Sequence, residues 1–360
     1  MIRSCWMLAG ACCFAGGTAI AAGIAVGRCG IEVHPIDSYT VPAATQVDGY
    51  RFGGISGLDY DSHSTQWYLV SDDRTEYPAA RVFTAQLKFD SQRVIDATLL
   101  SGRKVDSDMA TDAETVRVDA QRRELLLAGE GNLSRKIGPW LRRIDFSGHE
   151  LERVSLPALF DPADGRGPRP NGSIEGITFD TKGRGLWISL ETPLLQDGPS
   201  ANREHGVDVR FTLRRADNSM IQYVYPVDAA RPHAAGESSD SGVSEILALG
   251  EDELLVLERS GVRHAEQNFS FHTRLYCADL REATDVSSFD SLSGRSYRKA
   301  AKQLLFDFDS LPGIVADNLE AMSWGPALPG SARSLLFASD NNMVPGLATQ
   351  FIFFSVSSGR

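Results

Sequence analysis

The chain has 360 residues, 42% of them hydrophobic and 23% charged, a balance that excludes a disordered or fibrous polymer and leaves enough apolar residues for a substantial core. With 36 Lys and Arg against 47 Asp and Glu the formal charge is -11, which disfavours general attraction to nucleic acid or anionic lipid. The surplus acids fit solubility or cation binding.

Residues 1–28 read as a targeting segment. Arg3 supplies a short positive start, Ser4 to Gly27 carry no charge, and Ala19, Ala21 and Ala22 offer an A-x-A cleavage site. The expectation is a signal peptide removed near Gly23, followed by one domain over 29–360. The alternative is an uncleaved N-terminal anchor, because 24 uncharged residues can span a bilayer, although so much Gly and Ala is weakly hydrophobic. Either reading makes the protein secreted, periplasmic or cell-envelope, touching a membrane only if the segment is retained. Cys5, Cys12 and Cys13 lie inside this segment, leaving Cys29 and Cys277. Export makes a disulfide between these two chemically possible; one free thiol and one packed in a strand is the alternative.

Beyond residue 50 a pattern repeats. "SGLDYDSHSTQWYLVSDDR" begins at Ser56, "AETVRVDAQRRELLLAGE" at Ala113, "SIEGITFDTKGRGLWISLE" at Ser173, "SEILALGEDELLVLER" at Ser244 and "LEAMSWGPALPGSARSLLFASDNN" at Leu319. Each has a polar or acidic residue, an apolar-alternating run, a turn, a second apolar run and an acid. Aligned on their first positions the copies fall at Ser56, Glu114, Glu175, Glu245 and Glu320, and on their closing acids at Asp72, Glu130, Glu191, Glu258 and Asp340. A period of this size built of strands, with no helical periodicity, predicts an all-β propeller in which each repeat is one sheet.

Outer strands are expected after each copy: "RVFTAQLKFD" and "VIDATLL", "WLRRIDF" and "ELERVSLP", "VRFTLRRAD" and "IQYVYPVD", "HTRLYCAD" and "QLLFDFD". The fifth copy is followed only by "FIFFSVSSGR", so "GIEVHPIDSY" near residue 30 is expected to supply the missing strand and close the ring. This gives five blades. A sixth would have to come from "ATDVSSFDSLSGRSYRKAA", whose poor alternation and abundant Ser and charge read as a loop or short helix. A sandwich or unclosed β-domain is the competing architecture.

In an antiparallel hairpin the first residue of one strand lies beside the last of its partner. The opening and closing acids of each copy should therefore share one end, which in a propeller is one mouth of the central channel. Carboxylates so crowded repel unless a cation is present. Arg74 and Arg259 directly follow closing acids, and Asn318, Asn341 and Asn342 stand beside others. Carboxylates with Asn carbonyls, and no His or Cys among them, form a calcium set and a poor zinc set. The candidate metal ligands are Asp72, Glu114, Glu175, Glu191, Glu245, Glu258, Glu320 and Asp340. Solvated strand-end acids are the bland alternative.

At these residues the sequence resembles the phytase-like family described as having esterase-like activity. The matching text is Ser56-Gly57-Leu58 with Ser71-Asp72-Asp73, Glu175-Gly176-Ile177 with Glu191, Glu245 with Leu257-Glu258-Arg259, and Asn318-Leu319-Glu320 with Ser339-Asp340-Asn341-Asn342. The last copy departs with Glu320-Ala321 where Glu-Gly is typical. The resemblance implies a propeller and hydrolysis of phosphoesters or other esters.

Other catalytic devices are scarce. The sequence holds no G-x-S-x-G elbow, H-E-x-x-H, C-x-x-C or P-loop. The histidines are scattered through loops and outer strands and read as surface or capping residues. His205 is the exception, since it lies with Arg203 and Arg210 in or near a polar loop that could cover the mouth and meet an anionic substrate. The leading expectation is a metal-dependent ester or phosphoester hydrolase with Glu175, Glu191, Arg74 and Arg259 as catalytic residues, Arg203 and His205 on a small anionic or ester substrate, and calcium as cofactor. A non-catalytic extracytoplasmic binding propeller with a structural cation is the alternative. A metal-dependent sugar-lactone hydrolase is a third.

Overall fold

A computed structural model of the protein describes residues 29–72, 80–106, 112–266, 268–329 and 333–358. The predicted targeting segment and Arg74 lie outside these residues. No helix among the described residues is long and apolar enough to cross a membrane.

Five four-stranded antiparallel sheets form the blades. Blade 1 is β4 (Ile55–Asp61), β5 (Gln66–Ser71), β6 (Arg81–Phe89) and β7 (Val94–Lys104); blade 2 is β8 (Ala113–Asp119), β9 (Glu124–Gly129), β10 (Trp140–Asp145) and β11 (Glu150–Val154). Blade 3 is β12 (Ile174–Phe179), β13 (Gly185–Leu190), β14 (Val207–Arg215) and β15 (Met220–Val227); blade 4 is β16 (Ser238–Gly250), β17 (Glu253–Arg263), β18 (Phe269–Asp279) and β19 (Ala301–Asp307). Blade 5 joins β20 (Leu319–Trp324), β21 (Arg333–Ser339) and β22 (Thr349–Ser358) to β1 (Ile31–Val41), the N-terminal strand. A short hairpin, β2 (Gln46–Val47) with β3 (Tyr50–Arg51), leads from β1 into blade 1.

The innermost strands β4, β8, β12, β16 and β20 meet in turn around the axis and close the ring. Closure is by the predicted strand: β1 pairs antiparallel with β22 from Ile31 opposite Ser358 to Val41 opposite Thr349. Cys29, just before it, is disulfide-bonded to Cys277 of β18 in blade 4. Residues 283–300 form no strand and pack Val286 and Leu292 against Val224 of blade 3, in keeping with the loop reading.

Alternation along each strand sends apolar side chains into the gaps between blades, where the cores lie. Trp187, Ile188, Phe211 and Ile246 fill the gap around blade 3, and Phe306, Phe308, Phe337 and Phe354 pack edge-on between blades 4 and 5. Burying each such aromatic contributes about 2–3 kcal/mol.

The small second residue of the "SGL" and "EGI" motifs has a steric cause. A Cβ on Gly57 would lie 2.6 Å from Thr115 Cα, and one on Gly176 would lie 2.7 Å from the Ile246 amide nitrogen. The innermost strands approach too closely there for a larger side chain. Ala321 occupies the corresponding place in blade 5 and is fully buried.

Candidate functional site

Every inner hairpin carries a bulge at the same place. The register skips Ser56 in blade 1, Glu114 in blade 2, Glu175 in blade 3, Ser244 in blade 4 and Glu320 in blade 5. A bulge re-aims its extra residue, so these five side chains belong to one rim of the channel. Across the hairpins the residues following Ser71, Gly129, Leu190, Glu258 and Ser339 are Asp72, Glu130, Glu191, Arg259 and Asp340. The amides of the four acids donate to Gly54, Asp112, Ser173 and Asn318 carbonyls at 2.7–2.9 Å, which closes each hairpin identically.

This register corrects the alignment of the fourth copy by one residue. Ser244 and Arg259, not Glu245 and Glu258, stand at its rim positions. Glu245 corresponds to Gly176 and Gly57 and crosses the axis to blade 2, where its carboxylate meets Arg117 at 2.9 Å and Thr115 Oγ1 at 3.0 Å. Glu258 turns toward blade 3 and the outer strands, accepting from Tyr225 Oη at 2.5 Å and Lys302 Nζ at 2.6 Å. The structure brings neither to the mouth cavity.

That cavity measures about 420 Å³, and its lining includes seven rim carboxylates: Asp72, Glu114, Glu130, Glu175, Glu191, Glu320 and Asp340. Arg259 is set among them. Its guanidinium donates to Glu320 Oε1 at 2.7 Å, Asn318 Oδ1 at 2.6 Å and Glu191 Oε1 at 3.1 Å. Burial works against its charge, but Glu320 and Glu191 outweigh that and hold it above its ordinary value. Arg259 therefore compensates the blade 3 and blade 5 acids, away from Glu114.

On the other side of the mouth the acids crowd together. Glu114, Glu130 and Glu175 can bring one carboxylate oxygen each within 4.8 Å of the others, and Asp72, Asp112 and Glu114 do the same. Glu130 Oε1 also accepts the Gly172 amide at 2.6 Å and the Ser173 amide. Burial pushes Glu114 well above the usual carboxylate range, and Glu175, Asp112 and Asp72 push it further. Glu175 is raised in the same way by burial and then by Glu191, Glu130 and Glu320. Asp340 is raised by burial and Glu320. Glu191 reaches about 7, raised by burial, Asp240 and Glu320 while Arg259 pulls it down.

The cavity also takes in residues that the repeat does not mark. Arg169 and Asn171 come from the loop entering blade 3, and Asp240 and Ser241 stand on the part of β16 that runs past the bulge. Asp112, whose carbonyl closes the rim of blade 2, lies outside the lining but beside Asp72 and Glu114. Arg169 donates to Ser200 Oγ and Pro193 O, both at 3.1 Å, which pins the loop after Glu191 beside the cavity. The predicted substrate contacts Arg203 and His205 sit farther along that loop. They are exposed and outside the cavity lining, Arg203 paired with Glu204 and the His205 amide bonded to Asn202. Arg210 is fully buried against Asp197, with Nε to Oδ2 at 2.7 Å, and serves as an anchor for the same loop.

The family model described as "Phytase-like: Esterase-like activity of phytase" matches residues 50–343. Among solved structures the chain is similar to the catalytic domain of a GH62 alpha-L-arabinofuranosidase from Coprinopsis cinerea, at 10% identity and a TM-score of 0.44, over 89% of this chain and 97% of that one. It is similar to a putative oxidoreductase (glucose dehydrogenase) from Thermus thermophilus at 10% identity and a TM-score of 0.36, over 90% and 100% of the two chains. A putative 6-phosphogluconolactonase from Bacteroides uniformis is similar at 13% identity and a TM-score of 0.35, over 84% and 85%. No curated protein matches by sequence.

Proposed function

The chain belongs to the phytase-like family described by esterase-like activity, and from that premise we propose an exported, metal-dependent hydrolase of phosphate or other esters acting at the acidic channel mouth. The observation that carries this reading is the buried cluster of Glu114, Glu130 and Glu175, whose carboxylate oxygens approach within 4.8 Å of one another. Three buried acids at this spacing repel one another when ionised, and a bound cation would relieve that repulsion. The donors are carboxylate oxygens with no His or Cys among them, which fits a hard cation such as calcium.

Asp72, Asp112, Glu114, Glu130 and Glu175 would hold the ion. Bound there, calcium supplies charge for the substrate's oxygens and for an attacking water. Arg259, beside Glu191 and Glu320, and Arg169, from the loop entering blade 3, orient an anionic ester group. Glu175 and Glu191 hold or move a proton at their carboxyl oxygens during attack and departure. Below the mouth Arg117 and Glu245, both nearly inaccessible, fill the axis, so substrate enters and product leaves by the same opening. The Cys29–Cys277 disulfide supports export, because such bonds persist in oxidising compartments.

Aryl phosphate hydrolysis by the mature chain is expected to need calcium and to cease in excess chelator. Glu175→Gln and Glu191→Gln should each lower the rate roughly 100-fold. Glu152→Gln, at an exposed acid on outer strand β11, should leave it unchanged. Calcium binding without hydrolysis of any ester would favour the ligand-binding propeller instead.

A further inference from the structure

Blade 4 differs from its neighbours in length. Its three inner strands continue past the rim, pairing from Val243 opposite Glu258 out to Ser238 opposite Arg263 and Arg263 opposite Phe269. At the tip of this overhang Glu237 precedes β16, His264 follows β17, and Ser270 is the second residue of β18. The hairpins bring the three together. Ser270 Oγ lies 2.9 Å from His264 Nε2, and His264 Nδ1 lies 2.9 Å from Glu237 Oε1.

The acid is itself held in place. Glu237 Oε2 accepts the Ala234 amide at 2.8 Å, in a turn where Gly236 takes a φ of +88°. The hydrogen bond from His264, with the Ala234 amide, holds the Glu237 carboxyl below its usual range. An ionised acceptor at Nδ1 favours the tautomer with its proton there, leaving the Nε2 lone pair for the serine hydroxyl. A hydroxyl, an imidazole and an acid in this order are recognised as a nucleophile relay by geometry, whatever their order in the chain. The side chains of His264 and Glu237 are 29% and 16% exposed, Ser270 is half-buried, and none of the three lines the mouth cavity.

We propose that Ser270, His264 and Glu237 form a serine-type site that hydrolyses small uncharged carboxylic esters, separate from the cation site at the mouth. Ser270 Oγ bonds to the ester carbonyl carbon while its proton passes to His264 Nε2. The carbon–oxygen bond to the leaving group breaks, and the alcohol departs with that proton. Water then attacks the Ser270 ester, His264 takes a proton from it and returns one to Oγ, and the carboxylic acid is released. One water is consumed and no further reactant is required. Glu237 is a positioning residue that keeps the imidazole in the reactive tautomer. The partly exposed His264 and Glu237 side chains leave room for a small substrate, and uncharged ones avoid the field of a chain carrying -11.

The test treats the full mature chain, in excess chelator, with a fluorophosphonate, which forms an Oγ–phosphorus bond and loses fluoride. Peptide mass spectrometry should find the adduct on Ser270. Ser270→Ala should abolish it, and His264→Gln and Glu237→Gln, each melting as the parent does, should slow it at least tenfold, with part of the rate recovered in Glu237→Asp. Aryl acetate hydrolysis should persist in chelator and fall in the same variants. No adduct on Ser270, an adduct formed equally fast in His264→Gln, or acetate hydrolysis lost to chelator and kept by Ser270→Ala would each overturn the proposal. The mouth is tested separately, since calcium-dependent phosphate hydrolysis can fail without touching this result.

Discussion

Replacing Cys277 by Ser is expected to lower the free energy of unfolding by on the order of 5 kcal/mol. The Cys29–Cys277 bond spans 248 residues, so it removes a large loop entropy from the unfolded chain. It also acts on the ring itself. β1 is held along one edge by β22, and Cys29 ties its start to the neighbouring blade 4. Without that tie β1 can peel away and uncover the backbone edge of "FIFFSVSS", a strand prone to mispairing. Urea unfolding of the oxidised protein, the reduced protein and Cys277→Ser should place the last two together, well below the first. Equal midpoints for all three would mean that strand pairing alone closes the ring.

Arg117→Met should destabilise the protein by about 3–5 kcal/mol, because it leaves a buried acid without its partner. Arg117 Nη2 meets Glu245 at 2.9 Å and the Ile246 carbonyl at 3.0 Å, while Nη1 reaches the Leu58 carbonyl at 3.0 Å. One side chain of blade 2 thus joins blades 1 and 4 across the axis. Met keeps the length and loses every bond. Burial then raises the Glu245 carboxyl with no Arg117 to oppose it. The double variant Arg117→Met with Glu245→Leu should recover much of the loss, measured as denaturant midpoints in a double-mutant cycle. A single variant within 1 kcal/mol of the parent would show that the bridge carries little.

The strands, the blade count and the closing role of residues 31–41 were legible because a period-two apolar pattern repeats five times and the last repeat visibly lacks a strand. The rim was legible where strand ends and motif ends coincide, as at Glu114, Glu175, Glu191, Glu320 and Asp340. Blade 4 misleads for two physical reasons. A bulge leaves no mark in composition, so Ser244 and Glu245 are equally good polar openings, and only pairing shows which is extra. Its β17 also runs on past the rim, so the closing position falls mid-strand, at Arg259 rather than Glu258. Arg169, Asp112 and Asp240 come from loops or strand extensions outside the repeat, and no periodic signal marks them. Arg203 and His205 read as mouth residues from their distance to Glu191, but Arg169 and Arg210 fasten the intervening loop so that both end in solvent.

Melting of the protein with and without calcium at two pH values reads out whether the crowded carboxylates of the mouth hold a cation. Without an ion, Glu191 folds with its carboxyl raised from 4.5 to about 7, and Glu114 and Glu175 are raised as well. An acid whose value rises on folding binds more protons in the native state, so stability is fullest below 4.5 and is lost as pH climbs through this window. The ion-free protein should therefore melt higher at about pH 5 than at about pH 8. Calcium at roughly 100 times its dissociation constant should add about 2.7 kcal/mol at the higher pH, a rise of roughly 5 °C, and much less at the lower. Glu175→Gln should raise the ion-free melting temperature at the higher pH and shrink the calcium shift. A melting temperature that calcium leaves unmoved at the higher pH, in parent and variant alike, would contradict the cation site.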